Sequence, residues 1–161
     1  MSDKQGQVFD VKPYDAALRG ELEAMYEGFQ PKRAAQGLPP AQESRLRAWL
    51  DRTLAVGHHL VVFVQNQLVG HIMLIPMKQS GSVELANFLH QSVRNRGIGT
   101  ALNRVAVDLA SDLGYTRVWL CVEPSNRAAV RSYEKAGFRY LPGALFAPEM
   151  EMEAIVRPSE A

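Results

Sequence analysis

The sequence predicts a mixed α/β (α+β) fold built as one domain, residues 1–161, with elements in the order β-α-α-β-β-β-α-β-α-β-β. Three observations predict it. Amphipathic segments of helical period alternate with Val- and Leu-rich runs of strand length. Two of those runs meet at a tight-turn signal, Asn66-Gln67. A double-glycine bend, Gly97-Ile98-Gly99, joins a strand-like run to a long amphipathic segment.

Val8 to Val11 reads as a short strand ending at Pro13. A helix follows, because Leu18, Leu22, Met25 and Phe29 fall on one face, with Asp15 as its N-cap. Gly37-Leu38-Pro39-Pro40 breaks that pattern, and a second helix then carries Leu46, Trp49, Leu50, Thr53 and Leu54 on one side as far as Gly57. His59 to Gln65 and Leu68 to Met77 form a hairpin, Gln79-Ser80-Gly81 turns the chain, and Val83 to His90 delivers it to the glycine bend. Ile98, Leu102, Val105, Ala106, Leu109 and Leu113 keep helical spacing until Gly114, a C-cap. Thr116 to Val122 is an apolar run of the kind expected in a strand buried on both faces, which makes Cys121 a buried residue. Pro124-Ser125-Asn126 opens a short helix that ends at Ala136-Gly137, and Phe138 to Leu141 and Glu149 to Val156 form a last strand pair.

Hydrophobic residues at 47% and charged residues at 22% describe a soluble globular chain rather than a disordered or membrane-spanning one. No apolar run approaches the roughly eighteen residues of a membrane span, and Met1-Ser2-Asp3-Lys4-Gln5 lacks the apolar stretch of a signal peptide, so a cytoplasmic location is expected. The single Cys121 excludes an internal disulfide and a cysteine-rich zinc site, and no spacing of histidines suggests a metal. A net charge of +1, with no basic block longer than Pro31-Lys32-Arg33, argues against nucleic acid and membrane partners.

The glycine bend is the feature with chemistry in it. Glycines one residue apart let the backbone come close to a ligand, and the helix starting there adds unpaired N–H groups and the positive end of its dipole, a seat for phosphate. A P-loop requires a Lys-Ser/Thr pair after its last glycine, where this chain has Thr100-Ala101. A dinucleotide fingerprint requires a third small residue where this chain has Leu102, and a position near the start of its domain.

The pattern that remains is Arg94, Gly97 and Gly99 as Arg-x-x-Gly-x-Gly, and it resembles the signature of the GNAT superfamily of N-acetyltransferases. A second block, Asn126 to Phe138, is similar to that family's later motif, with Asn126 and Tyr133 seven apart and a closing Gly137-Phe138. The resemblance covers roughly residues 60 to 156. It implies a mixed, mostly antiparallel central sheet flanked by helices, in which the strands at 83 to 90 and 116 to 122 run parallel and splay apart.

It also implies roles. Asn95, Arg96, Gly97, Ile98, Gly99 and Thr100 would hold the diphosphate of acetyl-CoA, mostly through backbone N–H, while Arg94 holds the loop's shape. Asn87, Phe88 and Leu89 would align the pantetheine arm, with the Leu89 N–H facing the developing oxyanion and the Phe88 side chain in the core. Asn126 would be N-cap and cofactor contact together, and Tyr133 the acid for the departing thiolate. The base is open among Glu84, which matches a family glutamate acting through water, His71, His90 and water itself. Where other members place a carboxylate five positions before the Asn, this chain has Cys121, and Glu123 nearby reads as structural.

The function implied is transfer of an acetyl group from acetyl-CoA to a primary amine by direct attack in a ternary complex, with no metal. A non-catalytic acyl-CoA-binding or sensor module is the alternative, and a nucleotide-dependent oxidoreductase with a purely parallel sheet a third reading. The acceptor, a small-molecule amine or a peptide N-terminus or lysine, is not legible. The resemblance implies an acceptor pocket built by roughly Tyr26 to Trp49, where Phe29, Lys32 and Arg33 also lie, plus the last strand pair, and the acyl length and a homodimer are left open.

Overall fold

The computed structural model describes residues 1–30, 39–143 and 149–158. The predicted break at Gly37-Leu38 and the basic pair Lys32-Arg33 lie outside the described residues. The chain divides into two compact units, Met1–Met73 with Ala86–Ile98, and Leu74–Leu85 with Gly99–Ala161.

In the first unit, β1 (Phe9–Pro13) pairs antiparallel with β2 (His58–Val64), Phe9 opposite Val64 and Pro13 opposite Leu60. β2 turns into β3 (Gln67–Pro76) through Gln65 and Asn66, both at positive φ. The turn thus lies one residue before the predicted Asn66-Gln67, because Gln65 and Asn66 take the two positive φ values of a type I′ hairpin and Gln67 is already extended. Asp15 accepts the Ala17 N–H at 2.7 Å and caps a 3-10 turn, Ala16–Leu18, that leads into α1 (Arg19–Glu27). α1 buries Leu22, Met25 and Tyr26, and α2 (Glu43–Leu54) buries Leu46 and Leu50, which is the apolar spacing converted into a core face. Tyr26, Phe29, Trp49 and Phe88 pack ring against ring with centroids 5.4 to 6.0 Å apart, mostly edge to face. Phe88 comes from the end of β4 (Ser82–Leu89) and points into the core, as predicted.

In the second unit the start of β4 pairs parallel with β5 (Arg117–Val122), Ser82 opposite Arg117 and Glu84 opposite Trp119. β7 (Met150–Ile155) pairs antiparallel with β5 along its length and with β6 (Arg139–Tyr140), which is only two residues long. α3 (Ile98–Asp112) ends at Gly114, whose φ of +87° is the left-handed C-cap expected there, and the Tyr115 N–H reaches back to the Ala110 carbonyl at 2.9 Å. α4 (Arg127–Lys135) is capped by the Asn126 side chain, which accepts the Ala129 N–H at 3.2 Å. Strand neighbours run β1-β2-β3-β4-β5-β7-β6, with β3 and β4 contributing residues to both units. The fold is the mixed, mostly antiparallel α/β arrangement expected, not a purely parallel sheet.

β5 corrects one expectation. Val118, Leu120 and Val122 are buried, but Trp119 is half-buried and Cys121 is exposed, so the strand has one polar side. Its antiparallel neighbour explains why, since Glu153 lies opposite Trp119 and Glu151 opposite Cys121.

Candidate functional site

The glycine bend leaves β4 through a 3-10 turn, Gln91–Val93, that His90 caps by accepting the Ser92 N–H. Asn95 at φ 62° and Gly97 at φ 81° alternate with Arg96 between them. Such alternation turns a backbone into a concave row of N–H groups, and α3 begins immediately after it. Gly97 sits at a φ that favours glycine, and a Cβ there would meet the Lys4 side chain at 3.1 Å, so that side chain would have to give way. Gly99 is different, because a Cβ would touch only Ser132 Oγ, at an ordinary 3.7 Å.

Arg94 is bound into the frame of its unit. Its Nε donates to the Leu89 carbonyl at 2.9 Å, its Nη2 to the Gln30 carbonyl, and its guanidinium lies 5.0 Å from the Phe29 ring centre. Partial burial lowers its pKa. Gln91 adds a second clamp, donating to the Gly28 carbonyl at 2.6 Å and accepting the Gln30 N–H at 3.0 Å. The end of α1, the end of β4 and the bend are thereby held to one another. Arg96, although half-buried beside the glycines, turns its guanidinium to Gln7 Oε1 at 2.9 Å and to Asp3 Oδ2 at 3.8 Å.

The histidines named as possible bases stand in different surroundings. His90 Nδ1 bonds Ser92 Oγ at 2.7 Å. His71 is fully buried, and burial, then His59, bring its pKa down to about 3. The Val56 carbonyl can only accept, so His59 donates to it from Nε2 at 2.8 Å and, when neutral, accepts at Nδ1. His71 therefore donates from Nε2 to His59 at 2.9 Å and accepts the Tyr26 O–H at Nδ1, 2.6 Å away. Burial pushes the Tyr26 phenol well up, in keeping with its role as donor. Both nitrogens of His71 are thus occupied in a directional Tyr26–His71–His59 chain, and it is not available as a base.

In the second unit Tyr133 packs on Phe138, ring centres 5.7 Å apart, and burial pushes its phenol up to about 12. It keeps its proton at any ordinary pH. Its neighbour Ser132, not foreseen from the sequence, joins α4 to α3: Ser132 Oγ accepts from Thr100 Oγ1 at 3.1 Å and from Asn103 Nδ2 at 3.0 Å. Glu84 stands exposed on β4, yet desolvation and then Glu149 raise its pKa. Glu149 is a second unforeseen member of this surface, together with Glu151, which accepts from Trp119 Nε1 at 2.9 Å. Cys121 lies among these carboxylates. Desolvation first, then Glu149, Glu84 and Glu151, push its thiol up to about 11, so exposure does not make it reactive. Among the described residues no group of three His, Cys, Asp or Glu is placed to hold a metal ion, and no helix is long and apolar enough to cross a membrane.

Residues 22–138 match the family model described as the Acetyltransferase (GNAT) family. The chain belongs to that family. An uncharacterized N-acetyltransferase of Mycobacterium tuberculosis is 36% identical over 75 residues, which are 46% of this chain and 47% of that protein. The chain therefore matches about half the length of such curated relatives. Solved GNAT structures share the fold at low identity. The GNAT domain of S. lividans PAT superposes with a TM-score of 0.79 at 14% identity, over 97% of this chain and 95% of that one. Spermidine N-acetyltransferase from Vibrio cholerae, in complex with CoA and spermine, gives 0.69 at 14% over 91% and 95%. Ribosomal-protein-alanine N-acetyltransferase from Brucella melitensis gives 0.72 at 18% over 91% and 99%.

Proposed function

We propose that this chain transfers an acetyl group from acetyl-CoA to a primary amine by direct attack within a ternary complex. The observation that carries the reading is the bend at Asn95–Gly99, where positive φ at Asn95 and Gly97 precedes the start of α3 in a chain of the GNAT family. Neither φ nor packing among the described residues demands a glycine at Gly99, and the missing Cβ suits close approach of a ligand.

The residues fit the cosubstrate. Main-chain N–H groups of Asn95, Arg96, Gly97, Ile98, Gly99 and Thr100 take the diphosphate, and Arg94 keeps the bend in shape from behind. The Asn87, Phe88 and Leu89 main chain aligns the pantetheine arm, since the Phe88 side chain is committed to the core, and the Leu89 N–H stabilises the oxyanion. Asn126 fixes the start of the helix that carries Tyr133. Acetyl-CoA supplies the acetyl group as a thioester. As the amine nitrogen bonds to the acetyl carbon and the carbon–sulfur bond breaks, Tyr133 gives its proton to the sulfur and recovers one from solvent. Glu84, whose raised pKa suits a base, takes the amine proton directly or through water. The carboxylates Glu84, Glu149 and Glu151 favour a cationic amine as acceptor. The single free thiol fits a cytoplasmic setting.

The test is calorimetry with acetyl-CoA followed by thiol release across amine classes, repeated with Tyr133→Phe. Turnover on some amine, lowered at least about a hundredfold in kcat by the variant with acetyl-CoA affinity unchanged, is expected. Binding without turnover on any amine sinks the enzyme reading in favour of a binding module.

A further inference from the structure

We infer that the turn of residues 2–8 forms a wall of the diphosphate seat, and that Lys4 rather than Arg96 supplies its cation. The inference rests on the acetyl-CoA reading above and adds to it a residue outside the family match at 22–138.

The turn is built to hold its shape. Asp3 Oδ1 accepts the N–H groups of Gln5 and Gln7, both at 2.8 Å, the Asp3 N–H donates to the Gln7 carbonyl at 2.8 Å, and Ser2 bridges Val8. It docks on the bend by its main chain, the Lys4 N–H donating to the Arg96 carbonyl at 2.7 Å. The buried Asp3 carboxylate needs a counter-charge, and its Oδ2 has no hydrogen-bond partner among the described residues. Arg96 provides that charge from 3.8 Å while donating to Gln7, so its guanidinium faces the turn. Arg94 is held by Leu89 and Gln30. Two cations of the bend are thus committed to protein groups.

Lys4 is exposed, and its methylenes lie across Gly97, with Cγ and Cε each 3.1 Å from where a Cβ would stand. Its ammonium is one bond beyond a Cε that lies against Gly97, within reach of the backbone whose N–H groups take the diphosphate. An aliphatic stem laid on glycine with its charge at the rim is how a lysine reaches an anion without burying its ammonium.

The test is calorimetric binding of CoA and of 3′-dephospho-CoA to the unmodified chain, Lys4→Met and Lys4→Arg. Lys4→Met keeps the stem and removes the charge. It should weaken both ligands about tenfold, which is about 1.4 kcal/mol, flatten the salt dependence of binding, and leave the melting temperature where it was. Lys4→Arg should return affinity to within about threefold. Equal affinity of Lys4→Met and the unmodified chain overturns the inference and leaves the acetyl-CoA reading standing. A loss confined to CoA overturns the diphosphate assignment in favour of the 3′-phosphate, and a loss accompanied by a lower melting temperature assigns Lys4 to folding instead. No CoA binding by the unmodified chain overturns both readings.

Discussion

Replacing His71 by Gln should make this protein less sensitive to mild acid, even if it is less stable at neutral pH. In the native chain His71 is buried, bonded at both nitrogens and held neutral, with its pKa down at about 3 against an ordinary 6.5. As pH falls the unfolded chain takes up this proton first, so the contribution is whole above pH 6.5 and is lost progressively down to about 3. At pH 5 the loss spans about 1.5 pH units at about 1.36 kcal/mol each, or about 2 kcal/mol. Gln keeps an acceptor for the Tyr26 hydroxyl and a donor for His59 but does not titrate. Urea unfolding of both proteins at pH 7, 6 and 5 isolates the difference, since the carboxylates are common to both. The native chain should lose about 2 kcal/mol more than the variant between pH 7 and 5. Equal losses would refute the buried, neutral histidine. The same variant bears on mechanism, because a His71 that is not the base leaves the acid limb of kcat/KM where it was.

Three further outcomes follow from named contacts. Glu84→Gln should lower kcat by about a hundredfold or more and abolish the acid limb of the pH profile without changing CoA affinity, and an intact limb would pass the base to another group or to water. Gly97→Ala places a side chain at a φ of +81° and should cost about 1–2 kcal/mol, read as a fall in melting temperature of about 2–8 °C; an unchanged melt would contradict the bend's geometry. Cys121, with its thiol pushed up to about 11, should react with iodoacetamide at pH 8 roughly a hundredfold more slowly than a free thiol, because its thiolate is that much rarer. Alkylation at the rate of a free cysteine would show that neither desolvation nor the neighbouring carboxylates hold its thiol up.

The order of elements, the caps at Asp15, Asn126 and Gly114, the core faces of α1 and α2 and the bend at Gly97 were legible from the chain alone. Each depends on residues within a few positions of one another, where spacing, φ preference and capping chemistry act without help from the rest of the fold. Tertiary structure decided what those local rules leave free. It exposed Cys121 by setting β7 with its glutamates beside β5, and it enclosed His71 between Tyr26 and His59. It turned Arg96 toward Gln7, eighty-nine residues away, and brought Ser132 to Thr100 and Asn103. A hydrogen bond or a charge acts over a few ångströms, so its strength is set by which segments meet in space, and no periodicity along the chain records that meeting.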